Sequence, residues 1–153
     1  MVRVLMVCLG NICRSPLAEG ILRSKVSETD FFIDSAGTGG WHIGELPDSR
    51  SIEIARVNRI DITDQSCRKF VYQDFQDFDW IYVMDRSNMA DVLSLARTEQ
   101  DRMKVSLILD ELYPGKFREV PDPYYGGGDG FEKVFDMLDT ACDQIVNKWK
   151  DAN

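Results

Sequence analysis

The run Cys8-Leu9-Gly10-Asn11-Ile12-Cys13-Arg14-Ser15-Pro16 sets a thiol six positions ahead of a guanidinium, with a hydroxyl directly after it. A loop of this length, closed onto the start of a helix, turns successive backbone N–H groups inward and makes a nest for a tetrahedral oxyanion. Arg14 grips two oxygens of such an anion with its planar fork, which a lysine does not reproduce. The same N–H groups and the helix dipole favour a thiolate at Cys8, so the nucleophile needs no histidine. Ser15 is placed to hydrogen-bond the sulfur as it departs in a second step. Gly10 takes backbone angles that other residues avoid, and Asn11 is the next most tolerant type for a left-handed turn. The chemistry on offer is displacement at phosphorus, with one loop binding the phosphate, activating the sulfur and stabilising the transition state.

Such a loop needs a strand before it and a helix after it, and both are legible. Val2 to Val7 is apolar except for Arg3, as a strand buried on both faces should be. From Pro16 to Val26, residues Leu17, Ala18, Ile21, Leu22 and Val26 form one helical stripe, with Pro16 suited to the first turn. Phe31 to Ile33 reads as a second strand running into a glycine-rich loop, Asp34 to Gly40, and residues 48–58 read as a helix. Trp80 to Met84 is a third strand, with Asp85 capping a helix whose Met89, Val92, Leu93 and Ala96 share a face. Val105 to Leu109 is the fourth strand. After a loop rich in proline and glycine, Phe131 to Trp149 steps by threes and fours through the clearest helix of the chain. The alternation predicts an α/β fold of three layers, a four-stranded parallel sheet with helices on both faces, in a single domain spanning 1–153. Ligands of such sheets bind where strands end and βα loops gather, which again points to residues 8–15.

Composition removes several other classes. The net charge of −8, from 26 acidic and 18 basic residues, leaves no basic stripe for nucleic acid. No apolar run approaches the roughly 20 residues that a bilayer demands, so no membrane association is expected. The first residues lack a signal-peptide pattern, and a cytoplasmic, reducing setting is the default. Four scattered cysteines make no disulfide framework, and a single histidine, His42, leaves little material for a metal site or a histidine-based triad. No metal and no cofactor is expected, and the chain is expected to act as a monomer.

Four segments together resemble one family. The run from Val7 to Gly20 is similar to the signature of low-molecular-weight protein tyrosine phosphatases. Asp34-Ser35-Ala36-Gly37-Thr38 resembles a second family segment, Met84-Asp85-Arg86-Ser87-Asn88 a third, and Pro121-Asp122-Pro123-Tyr124-Tyr125 the late loop. The resemblance implies hydrolysis of phosphotyrosine in proteins through a phosphocysteine, with inorganic phosphate as product. It assigns Cys8 as nucleophile, Arg14 as phosphate clamp and Asp122 as general acid. Leu9, Gly10, Asn11, Ile12, Cys13 and Ser15 then form the cradle, and Ser35 and Asn11 hold its strained turn, with Asp85 also in support. Many members carry a histidine in that supporting network, and here Gln65 stands at the comparable place.

A physical case for Asp122 stands beside the resemblance. Pro121 and Pro123 stiffen its backbone, and a bound phosphate dianion favours the protonated carboxyl that must donate to the leaving phenolate. Tyr124 and Tyr125 are expected to wall a slot for a phenyl ring, with Trp41 opposite. Ile12 is apolar where relatives selective for phosphoarginine tend to have threonine, which favours phosphotyrosine. The resemblance also implies that Cys13 bonds to Cys8 on oxidation. His42 reads as an exposed loop residue without catalytic duty, and Cys67 and Cys142 as core cysteines, too far apart in sequence for thioredoxin-coupled arsenate reduction. A binding module without activity is the rival of another class, and the intact set of Cys8, Arg14 and Asp122 argues against it.

Overall fold

The computed structural model describes residues 1–125 and 128–152, with Tyr125 described by its backbone alone. In chain order the elements are β1 (Val2–Cys8), α1 (Arg14–Lys25), β2 (Phe31–Gly37), α2 (Ser49–Val57), α3 (Asp74–Asp77), β3 (Trp80–Val83), α4 (Arg86–Leu93), α5 (Glu99–Met103), β4 (Val105–Leu107) and α6 (Gly130–Ala152). Two short 3-10 segments, Ile108–Glu111 and Pro123–Tyr125, lie between β4 and α6. The strands pair in parallel in the order β2-β1-β3-β4. The three-layer parallel architecture read from the sequence is therefore the observed one.

The apolar run of β1 is explained by its central place. Val4, Met6 and Cys8 face a cluster built with Leu17, Ile21 and Leu22 of α1 and Leu138, Ala141 and Ile145 of α6. Leu5 and Val7 face the opposite cluster, with Phe75 of α3, Val92 of α4 and Ile81 and Val83 of β3. Each fully buried leucine or isoleucine stabilises such a core by about 2 kcal/mol. The chain leaves β1 for β2 on one side and reaches β3 on the other. A crevice therefore opens at the carboxyl end of β1, directly over Cys8.

Several boundaries differ from those read in the sequence. β2 does not end at Ile33: Asp34 to Gly37 continue it, paired with Leu5 to Cys8. Gly37 serves close approach, because a Cβ there would come within 2.9 Å of the Asn11 nitrogen and the Leu9 oxygen. β4 stops at Leu107, after which Ile108 and Leu109 both turn into the α6-side cluster and abandon strand alternation. α4 ends at Leu93, and Ala96 packs on the core from beyond it. The helix read over 48–58 is α2, with Asp48 outside it as the cap accepting from the Arg50 amide at 2.8 Å. α3 and α5, of four and five residues, are too short to leave a helical period in the sequence. Among the described residues no helix is long and apolar enough to cross a membrane.

Candidate active site

Cys8 is the last residue of β1, and α1 begins at Arg14, so the loop between them spans the crevice. Asn11 sits at its apex with φ +58°, the left-handed conformation. Gly10 does not adopt that region, contrary to the expectation from its type. What Gly10 provides is room, since a Cβ there would lie 3.3 Å from Cδ2 of His42. Among the described residues, the N–H groups of residues 9–13 donate to no acceptor in the chain. Cys13, the residue before α1, makes no side-chain cap, so the first helical turn also keeps its donors for whatever lies in the crevice.

The turn at Asn11 is held from several directions. Its Oδ1 accepts from the Arg68 amide at 2.9 Å, which fixes the amide's orientation. Its Nδ2 donates to Ser15 Oγ at 2.9 Å and to Ser35 Oγ at 3.0 Å. Ser15 Oγ in turn lies 3.0 Å from Cys8 Sγ and a longer 3.4 Å from the Ala36 carbonyl. Because Asn11 already donates into that hydroxyl, the Ser15 proton is left for the sulfur or for the Ala36 carbonyl, and either Ser15 or Cys8 can be the donor in the contact between them. Arg68 itself is clamped by Asp34 at 3.0 Å and by a two-pronged contact with buried Asp74. Nothing in the sequence marks Arg68 or Asp74 apart from other charges, and Asp34 stands out only as the first residue of the second family-like segment.

Arg14 is buried, and its charge is strongly anchored. Nη1 donates to Asp85 Oδ2 at 2.7 Å and to the Val120 carbonyl at 2.9 Å, which uses both of its hydrogens. Nη2 faces Asp122 Oδ2 at 3.7 Å. Burial works against the Arg14 charge, but its neighbours Cys8, Asp85 and Asp122 outweigh burial and raise its hold on the proton. Asp85 does double service, because its Oδ1 caps α4 by accepting from the Asn88 amide at 2.7 Å. Asp122 Oδ1 accepts from the Tyr124 amide at 3.0 Å, which leaves Oδ2 toward Arg14.

Cys8, Leu9, Gly10, Ile12, Cys13, Arg14, Trp41, His42, Asp122 and Tyr124 line one cavity of about 250 Å³. Asn11 and Ser15 are buried and hold the loop through their hydrogen bonds, with Ser35 on β2. Trp41 is largely exposed at the mouth, and its ring lies where a side chain on Gly39 would overlap it. Arg50 lies over the rings of both Tyr124 and Phe131, at 5.2 and 4.6 Å, and so ties the Tyr124 wall to α6. The side chain of Tyr125 falls outside the described residues. Gln65 stands apart from the Asn11–Ser35 pair: its Nε2 donates to the Pro16 carbonyl at 3.0 Å, and its buried Oε1 has no partner among the described residues. His42 is half-buried on the cavity wall with Nδ1 2.8 Å from Glu45, a placement its sequence context did not announce. Cys67, read as a core cysteine, donates its thiol to the Asn11 carbonyl at 2.8 Å. Burial, reinforced by Asp48, Cys8 and Asp122, pushes the Cys13 thiol up to about 12. Among the described residues no cluster of His, Cys, Asp and Glu is placed to hold a metal ion.

Glu19 of α1 is buried behind the loop, paired with Arg23 at 3.1 Å. Burial pushes its carboxyl up to about 7, against hydrogen bonding from Ser35 and the charge of Arg23. The carboxyl holds its proton more tightly when folded, so it stabilises the fold fully only below its ordinary value of 4.5. As the pH rises from there through 7, roughly 3 kcal/mol of stability should be lost. Glu19→Gln is therefore expected to unfold at higher urea than the parent at pH 8, the advantage shrinking to little at pH 4.5. An advantage of equal size at both pH values would contradict this.

The chain is similar to known proteins over almost its whole length. The family model described as low molecular weight phosphotyrosine protein phosphatase matches residues 3–152. The low molecular weight phosphotyrosine protein phosphatase of Schizosaccharomyces pombe is 44% identical over 142 residues, covering 90% of each chain. The crystal structure of YfkJ from Bacillus subtilis superposes with a TM-score of 0.90 at 38% identity, covering 100% of this chain and 97% of that one. A protein tyrosine phosphatase from Entamoeba histolytica gives a TM-score of 0.90 at 36% identity over 99% of each chain.

Proposed function

The chain belongs to the low molecular weight phosphotyrosine protein phosphatase family, and on that premise we propose that Cys8, Arg14 and Asp122 carry its reaction. The enzyme is a hydrolase of phosphotyrosine that works through a cysteine-bound phosphoryl group. In the first step the Cys8 thiolate attacks phosphorus, the bond to the tyrosyl oxygen breaks, and Asp122 gives its proton to the departing phenolate. Arg14 and the loop amides gather the equatorial oxygens as charge shifts onto them. In the second step Asp122 takes a proton from water, the water oxygen attacks phosphorus, and the S–P bond breaks. The Ser15 hydroxyl steadies the leaving sulfur, and inorganic phosphate departs.

One arrangement carries this reading: thiol, guanidinium and carboxyl share a single cavity, lined by loop residues whose amides have no partner among the described residues. Trp41 and Tyr124 supply flat walls for the phenyl ring, and Ile12 supports phosphotyrosine over phosphoarginine. On oxidation by peroxide Cys8 becomes a sulfenic acid, and attack by Cys13 sulfur expels water to leave a disulfide, which shields the nucleophile. A nucleophilic thiol that must stay reduced suits a reducing, cytoplasmic setting, and the complete constellation within one chain needs no second copy, in keeping with action as a monomer.

The acid is tested by leaving group. The parent is expected to release phosphate from a phosphotyrosyl peptide in reductant. Asp122→Ala should lower kcat for phenyl phosphate by on the order of 10²–10³, because that phenolate needs the proton. For p-nitrophenyl phosphate, whose leaving group is already stable, the loss should stay within about tenfold. Equal losses on both esters would assign the acid elsewhere.

A further inference from the structure

The loop over the crevice is held by its carbonyls. Those of Cys8 and Leu9 accept from the amides of Thr38 and Gly39, at 2.9 and 2.8 Å, just beyond β2. The Ile12 carbonyl accepts from the Asp48 amide at 2.8 Å, and the Cys13 carbonyl from the Leu17 amide at 3.4 Å. Among the described residues no peptide bond is cis, so each carbonyl points opposite to the N–H of the residue that follows it. A carbonyl pinned outward therefore aims the next N–H back into the crevice. One hold differs from these. Among the described residues, the Asn11 carbonyl receives its donor from a side chain alone, the Cys67 thiol at 2.8 Å.

We propose that Cys67 is a positioning residue for the phosphate loop, its thiol anchoring the Asn11 carbonyl and so turning the Ile12 N–H toward the bound phosphate. The proposal rests on the reading of this loop as the phosphate cradle. Asn11 is the residue that most needs such a hold, because its φ of +58° is a conformation that a residue with a side chain adopts only under support. Two consecutive residues grip it, Cys67 at the main-chain oxygen and the Arg68 amide at Oδ1, 2.9 Å away. The grip is itself fixed. The Cys67 amide donates to the Glu45 carbonyl and its carbonyl accepts from the Gly44 amide, both at 2.8 Å. The thiol has one hydrogen to give, and the Leu46 carbonyl, at 3.8 Å, is too distant to compete with Asn11 for it. Burial, reinforced by Cys8 and Glu45, pushes this thiol up to about 11, which keeps the hydrogen in place. Cys67 is buried and does not line the cavity, so it acts through the loop and not on the substrate.

The test compares Cys67→Ala and Cys67→Ser in steady-state hydrolysis of p-nitrophenyl phosphate, with inorganic phosphate as inhibitor. Alanine removes the donor, and serine keeps one at nearly the same place. Cys67→Ala should lower kcat/KM about tenfold and raise the phosphate inhibition constant about threefold, while Cys67→Ser stays within about twofold of the parent in both. A residue that only fills space gives no such rescue, since a buried serine packs no better than alanine and adds a polar group. Parental constants in Cys67→Ala, or a loss in Cys67→Ser as large as that in Cys67→Ala, overturns the proposal. A second measurement needs no variant. In the isotopically labelled parent, saturating inorganic phosphate should move the Ile12 amide proton resonance downfield, as a new hydrogen bond does. An Ile12 amide that phosphate leaves unmoved overturns the proposal even where Cys67→Ala does not fold. A parent that binds phosphate through Ile12 but does not hydrolyse the ester would instead count against the two-step reading, so the two failures are distinguishable.

Discussion

Cys8→Ser is expected to lower turnover of p-nitrophenyl phosphate by on the order of 10⁴-fold or more while inorganic phosphate still binds within about threefold of the parent. The asymmetry follows from what the loop contributes. In the proposed reaction its amides and Arg14 recognise phosphate oxygens, and none of them is the sulfur. They favour an anion at position 8 once it exists, but they are donors and cannot strip a proton from a hydroxyl. Ser15 is committed as an acceptor from Asn11, and in the proposed first step Asp122 is protonated as the acid, so neither is a base for a serine at position 8. Serine also fits where cysteine sits at 2% exposure, so the cradle should persist. Steady-state kinetics and calorimetric titration of phosphate measure the two halves. Parental turnover would refute covalent catalysis at this residue, and loss of phosphate binding would show that the cradle had not survived the change.

The second large effect is at Arg14. Arg14→Lys should lower kcat/KM by about 10³-fold, in the range expected when a transition-state donor is removed. An ammonium at this place satisfies Asp85 and keeps the positive charge, so the fold should be retained. What it lacks is geometry. In the parent, Nη1 is spent on Asp85 and Val120, which aims the rest of the planar group into the cavity. A lysine has a single nitrogen, and the same two acceptors claim it. The inhibition constant of inorganic phosphate should rise along with the loss in rate, since both read the same fork. A fall of less than tenfold with unchanged phosphate inhibition would mean that Arg14 is structural, a buried partner for Asp85 and nothing more.

The parts of this site that were legible in the sequence are those carried by local pattern. Val2 to Val7, the loop and the stripe from Leu17 to Val26 announce strand, nest and helix because burial on β1 and α1 leaves apolar residues at fixed intervals. Arg14 and Ser15 were legible through their spacing from Cys8. Partners brought together across the chain were not. Arg68 holds Asn11 and is held by Asp34 and Asp74, while Arg50 reaches Tyr124 and Phe131. As letters these are ordinary surface charges among 18 basic and 26 acidic residues. Glu19 lies inside an amphipathic helix, where a charge usually faces water, and only the packing of β2 against it reveals burial. The reading by residue type misled at Gly10, which like Gly37 answers to crowding, whereas the left-handed turn expected at Asn11 is observed there. Gln65 sits where a network residue was expected and bonds to Pro16 instead, because its position relative to Asn11 depends on a loop whose path the sequence does not encode locally.

The nucleophile itself is open to direct observation. The Asp122→Ala variant, mixed with p-nitrophenyl phosphate and quenched in acid during turnover, should yield a single phosphorylated peptide, the one containing Cys8, with the phosphoryl group on sulfur. Continued release of p-nitrophenol with no phosphoryl group on Cys8 at any quench time, or with the label on another residue, would contradict the account.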